Sequence, residues 1–383
     1  MHPMVKPALR RAWRNLQLVQ FGATPAHAVV LGPVDTATGS LLGLLDGTRG
    51  VELLRAEARA LGLPEGRLEK LLGRLAEAGL LADASALRPG KAGASGRTDP
   101  ALDPLRADLS SLSVACPEPD GASRRLDARR VLRVQVRGAG RVGATVASLL
   151  SAAGVGGVEV LDSGTVEPWE TSPGGLPAEA VGQRRAVAAR RAVGRAAPGG
   201  RVPREARAGP GDGGSEPGVS LVVMTPRDGL GAYIPDPLPA HRWIETGVPH
   251  LYAGVLEATG VVGPLVLPGG TACAGCLQEE RTDREPYWPR MLAQWRSGPP
   301  PAVPACDVAL ATAVAGLAAA HALAFLDGEL PASTEARWET SLPLLEWRTE
   351  RLRAHPACPC GAVGREEGEH ASGVTAPQDT MAG

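Results

Sequence analysis

The sequence predicts an α/β protein, with a small α+β segment ahead of a larger domain of alternating strands and helices. Three observations carry this. A strand runs into a glycine loop and a helix between Val131 and Ala153, and the next strand ends on an acid, Asp162. Two cysteine pairs, Cys273/Cys276 and Cys358/Cys360, frame the later half of that domain.

The leading segment, residues 1–85, opens with two short β-like runs, Leu16 to Phe21 and His27 to Leu31. Three helical patterns follow, Thr36 to Leu45, Gly50 to Leu61 and Pro64 to Ala82. Asp35-Thr36-Ala37-Thr38 offers a helix start. In the third pattern Leu68, Leu71, Leu72, Leu75 and Leu80 recur at helical spacing, and Gly79 supplies a turn. Short strands with three helices are the build of a small winged-helix module; a helical cap on the main domain is the plainer reading. Lys6, Arg10, Arg11 and Arg14 form a local basic cluster that reads as a solvated helix face.

Residues 86–127 have a linker composition and contain the run Pro-Gly-Lys-Ala-Gly-Ala-Ser-Gly. The main domain is expected over 128–361, interrupted by a Gly/Pro-rich loop from Pro198 to Gly218. A disordered tail is expected over 362–383. Lys plus Arg (40) balances Asp plus Glu (41), which argues against a nucleic-acid or anionic-lipid partner. The N-terminus has no apolar signal-peptide core. The Ala-rich stretch Val308 to Phe325 is interrupted by His321 and reads as a core helix rather than a membrane span. A cytoplasmic location follows, where thiols stay reduced and paired cysteines point to metal or redox chemistry.

Val131 to Val136 alternates as a strand and leads into Gly138-Ala-Gly140-Arg-Val-Gly143, then a helix from Ala144 to Ala153. This order gives a G-x-G-x-x-G motif its meaning as a Rossmann-like phosphate cradle. Gly138 permits the turn, Gly140 the approach of a phosphate, and Gly143 close helix–sheet packing. Asp162 stands about 20 residues beyond the loop, where a ribose hydroxyl partner belongs. The other reading, a tight βα turn around an empty pocket, stays open.

Cys273-Ala-Gly-Cys276 and Cys358-Pro-Cys360 can present four thiolates to one zinc, a closed set with a structural role. A redox pair would open a helix in a thioredoxin-like βαβ unit, whereas Leu267-Pro-Gly-Gly precedes Cys273. His241, His250, His321 and His355 form no ligand pattern. Trp288, Trp295, Trp338 and Trp347 flank the cysteine region and read as packing residues.

These elements, in this order, resemble the ThiF/MoeB/HesA family, bacterial relatives of ubiquitin-activating enzymes. The resemblance rests on Val134 to Gly143, Ala153 to Asp162, Val181-Gly-Gln-Arg-Arg185, Cys273-Ala-Gly-Cys-Leu277 and His355 to Gly361. It implies ATP and magnesium as cofactors, adenylation of the C-terminus of a peptide or small ubiquitin-like protein, a homodimer, and a tetrathiolate zinc. It places Gly138, Gly140, Gly143, Asp162 and Arg185 at the nucleotide, and Asp228 as an approximate match to a magnesium-binding aspartate. Some members use a cysteine near the place of Cys306 on sulfur or acyl groups, and a helix N-terminus there would favour its thiolate; an inert cysteine at a helix start is the other reading.

The chain departs from the family pattern where charge matters. Gly164 replaces an acid, Glu170 and Pro173 stand near positions of an Asn and an Arg, and Arg185 replaces a Lys. Adenylation depends on cations placed on the triphosphate. The chain also resembles leader-peptide-binding partners of azole-forming peptide maturation. In those, the winged-helix module adds a peptide strand to its sheet edge and the ThiF-like domain scaffolds a YcaO-type cyclodehydratase. Two functions follow: a peptide- or small-protein-binding scaffold, or an active ATP-dependent adenylyltransferase.

Overall fold

The computed structural model describes residues 1–85, 100–200 and 218–362. The expected tail from residue 363 on, and the Gly-rich start of the expected linker, lie outside the described residues. The chain divides into two compact units, the first mainly Met1–Val131 and the second mainly Leu132 onward.

In the first unit, β1 (Pro3–Val5) and β2 (Arg11–Trp13) precede β3 (Val19–Phe21) and β4 (Val29–Leu31). Then come α1 (Thr36–Gly43), α2 (Val51–Ala60), α3 (Arg67–Glu77) and β5 (Leu81–Asp83). Strands β2, β3 and β4 form one antiparallel sheet, and β1 pairs with β5 in another. Asp35 caps α1 by accepting from Thr38 N at 2.7 Å. Val19, Phe21 and Leu31 of the sheet pack with Leu41, Leu54, Leu68, Leu71 and Leu75 of the helices.

The third helix is shorter than its leucine spacing predicts. Gly79 adopts φ 65°, a left-handed turn, and the chain then runs as β5 with Val5 opposite Leu81. Nor is the basic cluster a helix face. Arg11 lies on β2, and Lys6 is buried, its Nζ donating to Cys116 O at 2.5 Å. Burial pushes its pKa down. Residues from the stretch read as linker form α4 (Arg106–Ala115), followed by α5 (Gly121–Arg129). Leu105, Leu109, Leu112, Ala122 and Leu126 bury between them.

The second unit holds β6 (Arg133–Arg137), α6 (Arg141–Ala152), β7 (Gly157–Leu161), α7 (Arg185–Ala196) and β8 (Leu221–Met224). It continues through α8 (Leu230–Tyr233), α9 (Pro237–Thr246), β9 (His250–Leu256) and β10 (Thr259–Val266). Last come α10 (Ala274–Arg284), α11 (Trp288–Ser297), α12 (Val308–Leu326), β11 (Ala336–Ser341) and β12 (Arg348–Arg351). One seven-stranded mixed sheet runs β12-β11-β10-β9-β8-β6-β7. Pairings among β7, β6, β8 and β9 are parallel, and those from β9 through β12 are antiparallel.

The chain leaves β6 for β7 on one side and returns to β8 on the other. The carboxyl end of β6 is therefore a topological switch point, where open α/β sheets form a crevice. Helix α12 is long and apolar enough to cross a membrane by length and composition. Leu310, Ala311, Val314, Ala315, Ala318, Ala319 and Ala322 along it are nonetheless buried. Gly260 of β10 allows close packing there, since a Cβ would lie 2.4 Å from Val314 Cγ2.

Candidate functional site

The glycine loop sits at the end of β6, as its spacing predicts. Gly138 has φ +111°, and a Cβ on it would stand 1.9 Å from Thr225 O. A Cβ on Gly143 would stand 2.0 Å from Gly138 O. Both positions therefore require glycine, one for the turn and one for α6 to close on the loop. Asp162 follows β7 and turns back to the loop, where Oδ2 accepts from Ala139 N at 2.6 Å. Its Oδ1 accepts from Ser163 N at 2.6 Å.

Beside the loop lies a cavity of about 580 Å³ whose lining includes Gly138, Asp162, Trp169, Glu170, Arg185, Arg227 and Asp228. The structure thus brings together Asp162, Arg185 and Asp228 from three distant stretches of chain. Four of its charged groups, Asp162, Glu170, Arg185 and Arg227, pair with each other. Arg185 Nε lies 2.7 Å from Glu170 Oε2, and Arg185 Nη1 lies 3.8 Å from Asp162 Oδ1. Arg227 adds 3.5 Å contacts to both acids. Asp162, Glu170 and Arg185 have almost no exposed side-chain surface, whereas Arg227 retains 42%.

Arg227 was not singled out by spacing, although it stands in Thr225-Pro-Arg-Asp228 directly after β8. Its Cγ lies 3.3 Å from where a Cβ on Gly140 would be, so its stem covers the open side of the loop. Asp228 is exposed and accepts from Leu230 N at 3.2 Å. As arranged, Arg185 and Arg227 are neutralised by buried carboxylates, and an anion approaching either must compete with those acids.

Cys306 lacks the activation that a free helix N-terminus would give. It precedes α12, but the free N–H groups of that helix are taken by Asp307, whose Oδ1 accepts from Ala309 N at 2.9 Å and Leu310 N at 3.0 Å. Burial, reinforced by Asp307 and opposed by Arg141, pushes the Cys306 thiol pKa up. The group is a poorer thiolate than a helix N-terminus alone would make it.

The four remaining paired cysteines do converge. Their Sγ atoms all lie within 4.8 Å of one another. Cys273 and Cys276 are 3.9 Å apart, Cys273 and Cys358 3.6 Å, and Cys276 and Cys360 3.5 Å. Four sulfurs about 2.3 Å from a tetrahedral zinc would stand about 3.8 Å apart, so the set fits that ion. Gly275 makes room for it, because a Cβ there would lie 2.9 Å from Cys358 Sγ. Hydrogen bonding from the Cys273 thiol draws the Cys276 pKa down to about 4 and raises that of Cys273. Burial lifts Cys358 to about 11. Four thiolates would hold a zinc with no open coordination position, which suits stability rather than catalysis.

His355 stands outside this set, with Nε2 2.9 Å from Asp283 Oδ2. His250 is buried and has its Nδ1 3.1 Å from Val248 O. Neither belongs to a metal cluster among the described residues.

Solved structures share this fold. E. coli MccB with MccA-N7isoASN superposes with a TM-score of 0.67 at 15% identity, covering 94% of this chain and 100% of that one. E. coli MccB with ATP gives 0.66 at 15% identity, covering 94% and 99%. The heterocyclase TruD gives 0.60 at 17% identity, covering 94% of this chain but 43% of its own. At such identities the likeness is one of fold. No curated protein sequence matches the chain. Residues 120–360, well over half of the sequence, match the ThiF family, and the chain belongs to that family.

Proposed function

We propose that the protein is a peptide- or small-protein-binding scaffold of a modification pathway, in which the ThiF nucleotide site no longer performs adenylation. The observation that carries this is the buried pair Glu170–Arg185. Arg185 stands where the family grips a phosphate, and at 2.7 Å its charge is spent on a carboxylate that has almost no access to water. Arg227, a second cation at the loop, is shared between Asp162 and Glu170 and lies over Gly140. Phosphoryl and adenylyl transfer depend on cations free to stabilise charge that develops on phosphate.

In this reading the partner is a peptide or small protein, and the MccA held in the MccB complexes supports a partner of that kind by likeness of fold. Residues 1–85 form the peptide-recognition module, where an extended segment pairs with an edge of the β2-β3-β4 sheet. The tetrathiolate zinc, held by Cys273, Cys276, Cys358 and Cys360, keeps the ThiF unit together. The chain spans less than half of TruD's length. In this reading a YcaO-type enzyme carries the chemistry. A homodimer and a cytoplasmic location belong to the same reading.

The alternative, an active adenylyltransferase acting on a peptide or small protein C-terminus, is supported by the glycine loop and by Asp162 and Asp228 sharing one cavity. ATP–pyrophosphate exchange with magnesium separates the two. The scaffold shows no exchange with or without partner, while it binds its peptide through residues 1–85. Exchange that disappears in Asp162→Ala would establish the enzyme instead.

A further inference from the structure

The cysteine set has a neighbour that its spacing does not reveal. Tyr252 lies on β9, opposite Met224 of β8, and is 2% exposed. In the next strand Val266 pairs with His250. A turn follows in which Leu267 O accepts from Gly270 N and Thr271 N, and it sends the chain back towards Cys273. Tyr252 and Cys273 share one buried cluster with Val266, Cys276, Leu277 and Cys358.

The Tyr252 hydroxyl is shut off from water and has no hydrogen-bond partner among the described residues. A buried hydroxyl left in that state is costly, which points to an acceptor stronger than a neutral thiol. Burial first, and then the negative charges of Cys273 and Asp236, push the phenol pKa up. The phenol therefore keeps its proton for donation.

Cys273, Asp236 and His250 are the polar groups that act on this side chain. Asp236 is already engaged, since its Oδ1 accepts from Leu238 N at 3.1 Å and faces Arg296 at 3.9 Å. His250 meets the Tyr252 ring edge-on at 5.6 Å, and its Nε2 is unpartnered too. A neutral imidazole is an ordinary acceptor, however, whereas a thiolate carries charge and draws a hydrogen bond about twice as strong. Four thiolates around a divalent ion leave two negative charges in a buried place. Backbone N–H groups of Cys276, His355 and Cys360 serve Cys273, Cys276 and Cys358 respectively. A hydroxyl beside Cys273 supplies the side-chain donor that offsets the remaining charge and orients the ligand.

We infer that the Tyr252 hydroxyl donates a hydrogen bond to the Cys273 thiolate when the four cysteines hold their metal, and so sets how tightly the ion is kept. Tyr252 is thus a positioning residue of the metal site and not a ligand. The inference rests on the zinc of the proposed function.

The test strips the full chain with a chelator and reloads it with zinc or cobalt(II), beside Tyr252→Phe, which keeps the ring and removes the hydroxyl. The variant is expected to hold zinc about tenfold more weakly in competition with a chromophoric chelator. Its thiolate-to-cobalt charge-transfer band is expected at lower energy, because a thiolate relieved of a hydrogen bond gives up its electron more readily. The zinc-loaded variant is expected to melt below zinc-loaded wild type, while the zinc-free forms melt alike or with the variant higher. Unchanged zinc affinity or an unmoved cobalt band overturns the inference. So does an equal loss of stability with and without metal, the result if the hydroxyl serves Asp236 or His250. A wild-type chain that takes up neither metal sinks the zinc site and this donor together; a wild type that loads, with a variant that matches it, sinks the donor alone.

Discussion

Glu170 and Arg185 meet on the wall of the glycine-loop cavity at 2.7 Å, and both side chains have almost no surface open to water. The residue that should attract phosphate is thus held by an acid from the chain itself. Removing either member leaves a buried charge behind. Arg185→Ala should therefore cost about 3–5 kcal/mol in urea unfolding, whatever the cavity binds.

Arg227 offers the contrast. Its side chain is 42% exposed, and its contacts to Asp162 and Glu170 are 3.5 Å long. Arg227→Ala should cost less than about 1 kcal/mol in the same assay. If the two arginines proved equally costly, the cavity charges would be acting as a single buried network.

Purified protein should carry equimolar zinc by atomic emission, and Cys276→Ser should lose most of it. Gly275→Ala should weaken retention as well, because its Cβ would crowd Cys358 Sγ at 2.9 Å. Chelation with a strong ligand should lower the melting temperature. Zinc-free protein with an unchanged melting temperature would contradict the structural role.

His250 makes stability depend on pH. Burial holds its pKa down to about 4, against the weaker effect of its bond to Val248 O. In the unfolded chain the imidazole takes up a proton near pH 6.5, while in the folded chain it stays neutral until about pH 4. This group therefore leaves stability unchanged above about pH 6.5, and below it stability falls by on the order of 3 kcal/mol as pH approaches 4. Denaturant midpoints from pH 7 to 5 should show this slope, and His250→Phe should flatten it.

Cys306 should alkylate with iodoacetamide at pH 8 more slowly than a free cysteine, since burial disfavours its thiolate. Mass spectrometry of the labelled peptide reads the rate directly. Labelling faster than the free amino acid would restore the activated-thiol expectation.

The features legible in the sequence are those encoded locally. The glycine loop and the C-x-x-C knuckle are set by spacings of a few residues, and each appears where it was expected. What was not legible depends on distant partners. Glu170 meets Arg185 and Arg227 only after β6, β7 and β8 assemble, and no pattern at any one of these positions announces the pairing. Leu80 to Ala82 continues an apolar run that suits a helix as well as a strand, and β1, near residue 4, decides between them. Leu105, Leu109 and Leu112 do carry helical spacing, but the Gly-rich composition just ahead of them obscured it.

The cysteine set joins the start of α10 to the chain just beyond β12. With zinc bound, everything between forms a closed ring of chain that includes α11, α12 and β11. A protease cut in the exposed Pro299–Val303 stretch would open that ring without releasing either end. The nicked protein would migrate as one species under native conditions and come apart more readily once a chelator took the metal. The tie thus guards the stretch from α10 to β12 against a cut in an exposed loop of its own.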